Sequence, residues 1–112
     1  MDFKFKSKKM KKICSDKSKM DREWGTYNAK KLQIRINQIK AADSLEVLFT
    51  LPGARCHQLK GNRDNQFAVD LKHPFRLIFE PYHDPVPLKE DGGFDTAKIT
   101  DILLLEVRDY HD

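Results

Sequence analysis

Cysteine is scarce in this 112-residue chain: only Cys14 and Cys56 occur. They form no CxxC pair and no second ligand cluster accompanies them, so neither a disulfide framework nor a zinc site is expected, and no metal or other cofactor is called for. Two reduced thiols filling core space in a cytoplasmic protein is the simplest account. No stretch approaches the roughly 20 apolar residues that a membrane span needs. The N-terminus is too charged, and lacks the apolar segment, for a secretory signal. Repeats, low-complexity tracts and linkers are also missing. One domain is therefore expected, burying roughly two-thirds of its unfolded surface without help from a crosslink.

What the chain does have is charge, unevenly spread. Residues 1–40 hold 13 Lys and Arg against 4 Asp and Glu, whereas residues 41–112 hold 8 against 13. The basic half suits a polyanion such as nucleic acid, although lysines also serve simply to solvate exposed helix faces.

The pattern of apolar residues divides the chain into a helical first half and a strand-rich second half. Phe3-Lys4-Phe5 alternates as a short strand. Ser7 is placed to cap a helix over Lys8–Cys14, and Asp16 a second over Lys17–Trp24. Gly25 breaks that helix, and Thr26 is the expected N-cap of a third over Tyr27–Ala42. In this third helix Ala29, Leu32, Ile36 and Ile39 make one stripe, with Lys30, Lys31, Arg35 and Lys40 largely off it. Ile34 lies outside the stripe, as a second contact, part of a partner surface or an ordinary exposed residue. A helical turn over Leu45–Phe49 ends at Leu51-Pro52-Gly53.

Beyond Gly53, strands are expected at Arg55–Leu59, Gln66–Leu71 and Phe75–Glu80, separated by the polar turn Gly61–Asn65 and by His73-Pro74. Phe75, Leu77 and Phe79 face one way, Arg76, Ile78 and Glu80 the other. Pro81–Lys98, rich in Pro and Gly, reads as a long loop. The last strand, Ile102–Val107, is apolar on both faces and so expected to be central. The layout is a compact α+β domain with its helices covering one face of an antiparallel sheet.

Directly after that strand comes Arg108-Asp109-Tyr110-His111. An Asp, a Tyr and a His on a rigid strand end are groups for proton transfer or phosphate binding. The plainer alternative is a packed Tyr ring followed by a frayed tail.

The ordered set Leu51-Pro52-Gly53-Ala54-Arg55, then the turn Lys60–Asn65, Phe67, Phe75-Arg76-Leu77-Ile78-Phe79 and finally Asp109-Tyr110-His111 resembles the HigB-like branch of the RelE/ParE toxin superfamily. The likeness covers most of the chain and rests on the order of these elements together. It implies a small α+β fold with a curved antiparallel sheet and N-terminal helices on one face. It also implies a toxin of a type II toxin–antitoxin pair that cuts mRNA in the ribosomal A site. That reaction uses the RNA 2′-OH and no metal. The implied partners are the ribosome with its mRNA and a cognate antitoxin, HigA-like with a helix-turn-helix domain, in a possible heterotetramer.

Carried onto this chain, the resemblance assigns Arg76 to the scissile phosphate. His111 and Asp109 fall in the terminal motif, with His111 suited to proton transfer. Tyr110 is expected to stack on a base or orient the phosphate. Lys60 and Arg63 are candidates for substrate binding. One departure stands out: Asp70 lies where many such toxins carry a basic residue, and it opposes phosphate binding unless paired with Arg76 or Lys72. Two alternatives therefore stay open. One is a toxin of the same fold directed at DNA gyrase; the other is a decayed, non-catalytic binding module.

Overall fold

The computed structural model describes residues 1–63 and 65–110. Strand β1 (Asp2–Phe5) leads into four helices: α1 (Lys8–Cys14), α2 (Lys17–Trp24), α3 (Thr26–Ala41) and α4 (Leu45–Leu48). Strands β2 (His57–Gln58), β3 (Phe67–Asp70), β4 (Phe75–Pro81) and β5 (Asp101–Asp109) follow. Short 3-10 turns occupy Gly61–Arg63 and Thr96–Lys98.

The first two helices start at the residues that can cap them. Ser7 Oγ accepts from the Met10 amide at 2.9 Å, and Asp16 Oδ1 accepts from the Ser18 and Lys19 amides at 2.9 and 3.3 Å. The cap of α3 differs from expectation. Thr26 is already helical and Gly25 takes the cap position, with φ +86° and ψ 154°. Gly25 donates to Asp21 O and accepts from the Ala29 amide, so one residue closes α2 and opens α3. Only glycine adopts that backbone conformation cheaply.

The sheet runs β1-β5-β4-β3-β2. Pairs β2–β3, β3–β4 and β4–β5 are antiparallel, whereas β1 is parallel to β5. The sheet is thus mixed, which corrects the all-antiparallel expectation. The chain leaves β1 through the helices and returns beside it only at the last strand, and a long crossover of this kind permits strands running the same way. Strand β5 has neighbours on both sides, the central place its apolar sequence indicated. Strand β2 is shorter than the expected Arg55–Leu59, because Arg55 sits at φ +46° and bends the chain out of the extended region.

One face of the sheet makes the main core. Met10, Met20, Leu32 and Ile39 from the helices pack with Phe67, Val69, Leu77, Phe79, Ile102 and Leu104. Phe67 and Phe79 stack with centroids 5.9 Å apart. Arg35, placed off the helix stripe by the sequence pattern, is in fact buried at 5% exposure. Its Nε donates to Asp70 O (2.7 Å), Nη2 to Gly53 O (2.9 Å) and Nη1 to Gln38 Oε1 (3.1 Å). Burial lowers its pKa below the usual arginine value, and the nearby Asp70 charge opposes that. Carbonyl partners on three sides make this burial tolerable.

The opposite face carries a smaller cluster, Leu59, Ala68 and Ile78, covered in part by Leu105 and Tyr110. Pairing along β4–β5 is broken by a bulge: Ile78 is opposite Glu106, but Phe79 is opposite Leu104. Leu105 is the extra residue. Ahead of it, Ile102 and Leu104 face the helices; beyond it, Glu106 and Arg108 face the other way, opposite Ile78 and Arg76. A bulge changes which face a strand's side chains occupy, and this one builds the site described next.

Candidate functional site

On the face away from the helices, register places Asp70 opposite Arg76 and Arg76 opposite Arg108, one row across β3, β4 and β5. Tyr110, two residues beyond Arg108, keeps the same face. Its amide donates to Pro74 O at 3.0 Å, which continues the β4–β5 ladder and anchors it. The guanidinium carbons of Arg76 and Arg108 lie 5.1 and 5.6 Å from the centroid of the Tyr110 ring. Arg63, brought in by the 3-10 turn, points Nη1 at the Tyr110 hydroxyl at 3.5 Å. Three guanidiniums therefore converge on one phenol.

Two carboxylates thread this cluster. Glu106 lies 3.5 Å from Arg63 Nη2 and 3.6 Å from Arg108 Nη1. Asp70 lies 3.3 Å from Arg76 Nε and 3.5 Å from Arg55 Nε. The pairing with Arg76 is the condition under which Asp70 ceases to oppose an anion directly. Lys72 instead has its Nζ 5.3 Å from the centroid of Tyr27. All four separations exceed the 2.7–2.9 Å typical of charge-assisted hydrogen bonds. Asp70 Oδ1 is buried and, among the described residues, has no hydrogen-bond partner, since Arg76 Nε approaches it off line. Partly exposed pairs at such lengths are worth less than about 1 kcal/mol each. Four arginines against two acids leave the cluster with net positive charge, which suits an anion.

The sequence candidates thus separate. Arg76, Tyr110 and Arg63 meet. Lys60 is exposed. Asp109 is exposed and in register with Phe75, so the pleat assigns it to the face opposite Arg108. His111 lies outside the described residues. The sequence reading missed Arg55 and Arg108 as members of the cluster. Arg108 carried a signal in its place two residues before Tyr110, but its face is set by the bulge. Glu106 is ion-paired with Arg63 and Arg108.

Neither a family model nor a curated protein matches the chain.

Titratable groups elsewhere in the chain play different parts. His57 Nδ1 sits 2.8 Å from Arg55 O. His83 Nε2 accepts from the Thr100 and Asp101 amides at 3.1 and 3.2 Å, pinning the long loop to the start of β5. Cys14 and Cys56 are half-buried against the core, and burial pushes their thiols up to about 11 and about 12. Neutral thiols of this kind are poor nucleophiles and poor metal ligands. Among the described residues no group of three or more His, Cys, Asp and Glu side chains is placed to hold a metal ion. No described helix is long and apolar enough to cross a membrane.

Proposed function

We propose that the protein is the toxin of a type II toxin–antitoxin pair, with the RelE/ParE-like fold of the HigB-like branch, and that it cleaves mRNA on the ribosome in the cytoplasm. The observation that carries this reading is the convergence of Arg63, Arg76 and Arg108 on Tyr110. An aromatic ring ringed by guanidiniums fits a phosphodiester with an unstacked base beside it. The sequence resemblance supplies the reaction class.

In the proposed reaction the RNA 2′-oxygen attacks the adjacent phosphorus and gives its proton to a base. The bond from phosphorus to the 5′-oxygen breaks, and that oxygen takes up a proton. The products are a 2′,3′-cyclic phosphate and a 5′-hydroxyl. Arg76 and Arg108 are assigned to the non-bridging oxygens, where charge builds in the transition state. Tyr110 is assigned to stacking on a base. His111, next in the chain, is assigned to proton transfer near neutral pH. The basic first 40 residues add charge for ribosomal RNA. A HigA-like antitoxin, in a heterotetramer, is the proposed silencing partner.

The test is induced expression of wild type, Arg76→Ala and His111→Ala in a bacterial host, with growth and mRNA 5′ ends followed together. Growth arrest with new codon-phased ends, absent from both variants, is the expected result. Arrest without new ends would shift the target to gyrase. Full growth despite accumulated, folded protein would favour a non-catalytic binding module.

A further inference from the structure

Away from the arginine cluster, α3 presents a second ridge beside its buried stripe. Tyr27, Lys30, Lys31 and Ile34 recur at i, i+3, i+4 and i+7, which aligns them along one side of the helix. They line one cleft of about 200 Å³. Tyr27 and Ile34 are 57% and 40% exposed, a large apolar surface for a helix whose other apolar side chains are mostly inward. Lys31 of the same helix and Lys72 from the β3–β4 turn each bring Nζ near the Tyr27 ring, at 5.8 and 5.3 Å. Over its 16 residues α3 contains no Asp or Glu, so its exposed lysines have no counter-charge on their own helix.

We propose that this ridge docks an amphipathic helical segment of an acidic partner protein. The apolar ends, Tyr27 and Ile34, are seven residues apart, or about 10.5 Å along the axis at 1.5 Å per residue. Apolar residues two turns apart on an antiparallel or parallel helix meet both ends together. Between them, Lys30 and Lys31 meet carboxylates on the incoming helix, and Lys72 meets one near Tyr27. Charge complementarity selects an acidic occupant, and the apolar ends select a protein helix over a nucleic-acid strand. The proposal does not rest on the nuclease reading, since it uses none of the residues around Tyr110.

The test is a phage-displayed library of 16-residue helical peptides, selected on the full chain and counter-selected on Ile34→Asp. One enriched peptide is then measured by fluorescence anisotropy. The expected enrichment is apolar residues seven apart with Glu or Asp between them. The expected loss of affinity is about tenfold or more for Ile34→Asp and for Lys30→Glu/Lys31→Glu, with Arg76→Ala unchanged. Both changes are at the surface, and matching thermal melts will show that folding is kept. Enrichment without acidic bias, or peptides that bind Ile34→Asp equally well, would overturn the proposal. So would a uridine oligonucleotide whose binding depends on Ile34. A concentration-dependent dimer abolished by Ile34→Asp would assign the ridge to a second copy of the chain instead.

Discussion

Arg35 and Asp70 bind each other through the backbone: Arg35 Nε donates to the Asp70 carbonyl at 2.7 Å, while the Asp70 carboxylate turns to the far face of the sheet and pairs with Arg76. A buried side chain of α3 thus fixes the strand position from which the arginine cluster is organised. The Asp70 amide is also held, donating to Ala54 O at 2.7 Å.

Replacing Arg35 by Met is expected to destabilise the fold by about 3 kcal/mol, because the carbonyls of Gly53 and Asp70 lose their donor in a buried place. Arg35→Lys is not expected to restore the loss, since one ammonium cannot span the three acceptors that the guanidinium fork reaches. Urea denaturation of both variants checks this, and stability near wild type in Arg35→Lys would contradict it.

Asp70→Asn is expected to strengthen binding of single-stranded RNA. It releases Arg76 and Arg55 from a carboxylate that competes with phosphate. The salt dependence should steepen by about 0.7 in the log–log slope for each further phosphate that the freed arginines neutralise. Arg76→Ala should move both quantities the other way. Anisotropy of a labelled uridine oligonucleotide across salt concentrations measures them. Weaker binding in Asp70→Asn would mean that the carboxylate's main effect is to hold Arg76 in place.

Tyr110 separates a ring effect from a hydroxyl effect. Tyr110→Phe keeps the ring beneath Arg76 and Arg108 and gives up only the 3.5 Å approach of Arg63, so stability should change by less than about 0.5 kcal/mol. Tyr110→Ala removes the ring from both guanidiniums and uncovers Leu59 and Ile78, with an expected cost of about 2 kcal/mol. Thermal melts distinguish the two, and under the proposed function only Tyr110→Ala should lose base stacking.

The thiols give the protein a pH dependence of known sign. Folding raises the Cys14 and Cys56 pKa values from 9.0 to about 11 and about 12 through burial. The folded state therefore holds these protons more tightly than the unfolded chain. Their contribution to stability is full below pH 9 and is lost as pH rises through the folded values. Stability should fall more steeply between pH 9 and 11 in wild type than in Cys14→Ala/Cys56→Ala, as followed by urea midpoints. Equal slopes would contradict the assignment.

Much of the helical half was legible because its signals are local. Ser7 and Asp16 cap the helices they precede, and Ala29, Leu32 and Ile39 fill the core from one stripe. The alternation of Phe75, Leu77 and Phe79 against Arg76 was also readable, since a pleat repeats every two residues. Arg35 was misplaced for a different reason. Periodicity grades a residue by polarity, and an arginine goes inward only where backbone carbonyls from distant segments, here Gly53 and Asp70, await it.

Short-range sterics, capping and hydrophobic period were enough to encode the α+β class, the first helix starts and the core face of β4, and the basic bias of the first 40 residues is a matter of composition. The parallel pairing of β1 with β5, the burial of Arg35 and the membership of the site arose only once distant segments came together. The site shows the reason most plainly. Under unbroken alternation Glu106, Arg108 and Tyr110 would share the face of Ile102 and Leu104 and point into the core. The bulge at Leu105 turns them outward to meet Arg76 and Arg63, and a bulge arises from the pairing of two strands, which no single stretch of sequence contains.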